Sequence, residues 1–154
     1  MKYPRYEYCS ENQLMYYEFT SEGLKGKIKK LVEYSATSVE NVYNLAFGDY
    51  DESIDSINDK SITNNGDSQK VLATVASTVY AFTGHYPNAW VHVTGSTNVR
   101  TRLYRMGITN NITEITDDFF VFGLQNDKWE PFIVGEDYEA FLITRKNKNI
   151  KMNL

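Results

Sequence analysis

Five apolar side chains, Val71, Leu72, Val75, Val79 and Phe82, fall within an arc of about 100° on a helical wheel. This stripe, some four turns long, constrains the chain more than any other feature, because it must bury against a second layer. Residues 64–67 (NNGD) are turn chemistry, and Asp67 or Ser68 is placed to cap the free donors at the helix start. Gly84 stands where a left-handed C-terminal residue is expected, with Pro87 three residues on. The pattern predicts a helix over about 67–84. The run that follows, residues 89–94 (AWVHVT), carries Val91 and Val93 on one face and Trp90, His92 and Thr94 on the other. With bulky groups on both faces, that strand belongs inside a sheet and not at its rim.

A polar turn of Gly95, Ser96, Thr97 and Asn98 comes next, and Val99, Leu103 and Met106 recur at i, i+4 and i+7. They predict a second helix over about 97–107 with those three residues as its buried side. A strand that leads through Gly-Ser-Thr into a helix start presents unpaired backbone N–H groups and the positive end of a helix dipole. Arg100, Arg102 and Arg105 follow within two turns, and guanidinium forks suit phosphate or carboxylate. Gly95, Ser96, Thr97, Asn98, Arg100, Arg102 and Arg105 are therefore the expected anion-binding group, completed by Arg100 with either Arg102 or Arg105. The competing account is a capped helix whose arginines are solvated or paired with carboxylates such as Glu114 or Asp117.

Around this unit, residues 16–20, 27–34 and 42–47 read as strands of an antiparallel meander. Ile28, Val32 and Tyr34 share one side, Leu31 breaks the pattern, and Tyr43, Leu45 and Phe47 are aligned. Residues 119–124 and 129–134 form a hairpin about Asn126, Asp127 and Lys128, with Pro131 confining the return strand to an edge. Residues 138–144 give a final strand, and 110–115 are ambiguous between helix and loop. The order of Phe47, Val79 and Val93 suits a crossover joining parallel strands. The expected fold is α+β in two layers: a mixed, mostly antiparallel sheet with two helices, about 67–84 and 97–107, packed on one face. The 154 residues predict a single domain over 1–154, with an arm or short strand over 1–13 and a frayed basic tail over 146–154.

Composition narrows the function classes. There are 16 basic and 20 acidic side chains, so no basic excess marks a dedicated nucleic-acid binder. Cys9 is the single cysteine, and His85 and His92 are the two histidines, too few for a closed zinc site. The acidic loop over 48–60 holds Asp49, Asp51, Glu52, Asp55 and Asp59, but Ile54 and Lys60 stand where a calcium loop needs Gly and Glu. An Asp49–Asp67 pair is the remaining magnesium alternative. Ser96 lacks the second glycine of a nucleophile elbow, and no phosphate-binding or dinucleotide fingerprint occurs. No catalytic residue, metal or cofactor is expected. No run approaches the ~20 apolar residues that span a bilayer, and no apolar leader follows Lys2 and Arg5, so a cytoplasmic setting without membrane contact is expected.

Three functional readings stand. The first is an interaction or ligand-binding module with an anion site, its partner a phosphate-bearing ligand, another protein or a second copy. The second is an enzyme of phosphoryl or nucleotide chemistry at that same site. The third, ranked below them, is a nucleic-acid binder using Arg100, Arg102, Arg105 and the lysine-bearing tail, with tyrosines stacking on bases.

The segments NLAFGD (44–49), TNNGD (63–67), KVLATVA (70–76), GST (95–97) and RTRLYR (100–105) together resemble an uncharacterised bacterial protein family, a domain of unknown function. The resemblance covers nearly the whole chain. It implies a single bacterial domain and brings no activity with it.

Overall fold

The computed structural model describes residues 3–58 and 63–146. Its first half is the expected meander: β1 (Cys9–Glu11), β2 (Tyr16–Gly23), β3 (Gly26–Ala36) and β4 (Val42–Asp51), each antiparallel to the next. A two-residue strand, β5 (Ser56–Ile57), folds back along the far end of β4. Helix α1 (Ser68–His85) then crosses to β6 (Trp90–Val93), which lies parallel to β4 with Tyr43 opposite Val91 and Leu45 opposite Val93. After α2 (Asn98–Asn110) and α3 (Ile112–Asp118), the strands β7 (Phe119–Gln125) and β8 (Lys128–Pro131) form a hairpin. Strand β9 (Ala140–Arg145) inserts between β6 and β7.

The strand order is β1-β2-β3-β4-β6-β9-β7-β8, antiparallel except where β4 meets β6. Among the described residues this makes a mostly antiparallel mixed sheet of nine strands with three helices, an α+β fold. Both expected helices are present, β6 is interior as predicted, and β8 with Pro131 lies at the edge. The ambiguous stretch after residue 110 resolves as α3.

Register explains the core. Period-2 alternation places Tyr17, Phe19, Val32, Tyr34, Leu45, Phe47, Val91, Val93, Phe141 and Ile143 on one face. Val71, Val75, Val79 and Phe82 of α1, with Tyr104 and Ile108 of α2 and Ile115 of α3, bury against that face in one cluster. Phe82 stacks on Tyr34 with ring centroids 4.0 Å apart and meets Tyr43 edge-on at 5.2 Å. Each such side chain contributes about 1.5–3 kcal/mol on full burial.

Three local expectations need correction. Gly84 is not a left-handed terminator: α1 continues to His85, and Tyr86 closes it by donating its N–H to Phe82 O. Packing of Tyr86 on Phe82 and Tyr43 carries the helix past the glycine. Asp67 does occupy the N-cap position, but its side chain makes no cap hydrogen bond; Oδ2 accepts instead from Tyr6 Oη at 2.6 Å and Ser21 Oγ at 2.5 Å. The third correction concerns α2, whose buried residues are Arg100, Tyr104, Gly107 and Ile108 and not the stripe of Val99, Leu103 and Met106. A Cβ at Gly107 would stand 3.2 Å from Leu72 Cδ2, so the close approach of α2 to α1 selects this other face.

The N-terminal segment is held down by β1 and by Tyr6, whose N–H donates to Thr74 Oγ1 at 2.8 Å. Near the other end, Arg145 donates to Thr83 Oγ1 and Tyr80 O, and Lys146 N–H donates to Asp118 O. The expected tail beyond Lys146, and Asp59 and Lys60 of the acidic loop, lie outside the described residues.

Candidate functional site

The expected anion group divides between two clefts. Thr97 caps α2 by accepting from Arg100 N–H at 3.2 Å, and Gly95 N–H donates to Thr101 Oγ1 at 3.1 Å. A Cβ at Gly95 would collide with the Thr101 backbone N and Arg100 Cβ, so the glycine is required by the helix's own first turn. Gly95, Ser96, Asn98 and Arg105 border a depression shared with Gln125, Asn126, Asp137 and Glu139. There Arg105 pairs with Asp137 and also donates to Glu136 O at 3.3 Å. Asp137, and not Glu114 or Asp117, is the carboxylate that engages this arginine.

Arg100 turns the opposite way. It is 7 % exposed and donates from Nη2 to Asn58 O at 2.5 Å. Strand β6 pairs with β4 through Leu45, and the guanidinium lies beyond that point, with Nη2 3.0 Å from where a Cβ of Gly48 would stand. Arg102 is exposed and, with Thr97, borders both clefts.

The second cleft, of ≈ 600 Å³, opens between the start of α1 and the flank of α2. At its floor Lys30, 1 % exposed, forms an ion pair with the buried Asp49 and donates to Thr63 O at 3.0 Å. Asp49 Oδ2 accepts from Thr63 N–H at 2.8 Å. The buried Asn65 sits beside them and locks the β2–β3 hairpin: Oδ1 accepts from Lys25 N–H at 2.6 Å, and Nδ2 donates to Gly26 O at 2.9 Å and Ser21 Oγ at 3.2 Å. Asn64, Asp67 and Ser68 bring the first turn of α1 to the same space. Burial, then the hydrogen bond to Asp67, raises the Tyr6 phenol above its ordinary pKa.

Sequence reasoning missed the Lys30–Asp49 pair, although its signal was present. Lys30 is in phase with Ile28, Val32 and Tyr34, and Asp49 extends the alternation of Tyr43, Leu45 and Phe47 by one step. Register sets the two directly opposite each other. Asp49 thus belongs to β4 and not to the acidic loop expected over 48–60. As to the Asp49–Asp67 magnesium alternative, each carboxylate already has partners of its own, Lys30 and Thr63 for one and Tyr6 and Ser21 for the other.

Of the segments NLAFGD and TNNGD, Asp49 and Thr63 therefore meet at Lys30, and Asn65 and Asp67 meet at Ser21. Residues 2–146 match a family of unknown function (DUF6934). The chain belongs to this family. No curated protein and no solved structure matches it. The matched span includes both clefts, and no helix among the described residues is long and apolar enough to cross a membrane.

Proposed function

We propose that this protein is a ligand-binding module that takes an anionic, phosphate-bearing group in the cleft between α1 and α2. One observation carries the reading: the start of the longest helix, without a side-chain cap, opens onto the same ≈ 600 Å³ cleft as Arg100 and Arg102. Lys30, Arg100 and Arg102 line that cleft; Lys30 is paired with Asp49 and Arg100 donates to Asn58 O, so the exposed Arg102 is the cation turned to solvent there. The α1 dipole adds about half a charge of the same sign. Backbone N–H groups at a helix start together with a guanidinium make an anion site of familiar chemistry.

Relative to the sequence expectation, the site keeps Thr97, Arg100 and Arg102, while Arg105 is engaged by Asp137. Binding is favoured over phosphoryl transfer because the histidines stand elsewhere: His92 points to the opposite sheet face, and His85 ends the far end of α1. The reading places the protein in a reducing bacterial cytoplasm, on its free Cys9 and on the resemblance given above.

The test is calorimetric titration with inorganic phosphate and sulfate, on wild type and on Arg102→Ala. Arg102 is exposed, so its removal leaves the fold intact. Wild type should bind below millimolar concentration. Loss of one charge-assisted contact, about 1.5–3 kcal/mol, should weaken binding at least tenfold. No binding at ~10 mM, or equal affinity in the variant, rejects the reading.

A further inference from the structure

We infer that the ligand of this cleft is amphipathic, an organic phosphate monoester whose apolar body lies along α2; the inference rests on the anion reading above. The apolar stripe of α2 supplies the argument. Val99, Leu103 and Met106 have the spacing of a buried helix face, yet the core takes Tyr104, Gly107 and Ile108 instead. Val99 is left 73 % exposed and Met106 44 % exposed.

These three side chains line the cleft together with Val71 and Leu72 of α1, and its cationic lining is Lys30, Arg100 and Arg102. The cleft therefore combines an apolar wall with the exposed Arg102 guanidinium and the uncapped start of α1. Ligand sites of this size are typically lined by apolar side chains with a few convergent polar groups that fix orientation. Inorganic phosphate would leave the apolar wall wet, and a neutral apolar molecule would leave the exposed Arg102 guanidinium and the helix N–H groups unmatched. A phosphate on an alkyl or aryl body satisfies both.

The experiment compares inorganic phosphate, phenyl phosphate and hexyl phosphate by calorimetry, with wild type, Val99→Ser and Met106→Gln. Both substituted positions are exposed, so the variants should fold. Expected are ester affinities at least tenfold above that of inorganic phosphate, at up to about fourfold per buried methylene. The substitutions should erase most of that gain while leaving inorganic phosphate binding unchanged. Methyl-resolved NMR should show the esters shifting Val99, Leu103 and Met106. If inorganic phosphate binds and the esters bind no tighter, or shift methyls elsewhere, the amphipathic assignment is overturned and the anion reading survives. If none of the three ligands binds, both fall.

Discussion

Asp49→Asn removes the counter-charge from a lysine that is 1 % exposed. The Lys30 ammonium keeps Thr63 O at 3.0 Å and gains a neutral amide where a carboxylate stood. Stranding one member of a buried ion pair costs about 3–5 kcal/mol, a large part of the ~5–15 kcal/mol that holds a domain folded. At roughly 2–4 °C per kcal/mol for a chain of this size, the melting temperature should fall by about 6–20 °C. Lys30→Met should cost a similar amount by leaving the Asp49 carboxylate with the Thr63 N–H. The double variant should be more stable than either single one, because no charge is left buried and the introduced amide oxygen still accepts from Thr63 N–H. Urea unfolding of the four proteins closes the cycle, with an unchanged m-value as the control for comparable unfolding. Single costs below ~1 kcal/mol, or additive costs in the double variant, would refute the description of this pair as buried and mutually dependent.

Two further outcomes follow from named contacts. Asn65→Ala removes the side chain that satisfies Lys25 N–H, Gly26 O and Ser21 Oγ; it should cost about 2–4 kcal/mol and raise amide exchange at residues 23–26 selectively, and uniform exchange would contradict it. Burial holds the His92 imidazole below its ordinary pKa, so the folded state binds fewer protons than the unfolded chain: stability is full above about pH 6.5, falls as pH drops from there through the folded pKa, and His92→Gln should flatten that dependence in melts from pH 7.5 to 5.

Much of the architecture was legible because it depends on local periodicity. The stripe from Val71 to Phe82 has one period and one solution, a helix buried along that side. The alternation of Tyr43, Leu45 and Phe47 fixes which face of β4 points inward, and the helix between two such strands makes a parallel crossover the natural connection. Pro131 removes a ladder donor, and β8 is an edge strand.

The site was not legible in the same way, because its contacts join positions that local patterns leave equivalent. Along α2, Val99–Leu103 and Tyr104–Ile108 both have helical i, i+4 spacing, and no local pattern distinguishes one pair from the other. The close approach of Gly107 to Leu72 chose Tyr104 and Ile108 for the core and left Val99 and Met106 to the cleft. The arginines were placed correctly on the helix, but their partners stand 42 and 32 positions away, Asn58 for Arg100 and Asp137 for Arg105. Sequence period thus determined which elements form and which residues face inward along each strand. Strand register and helix packing decided that Lys30 meets Asp49, that Arg100 and Arg105 part company, and that Val99 and Met106 stay outside, since charge pairing and close packing act between side chains brought together only by the assembled fold.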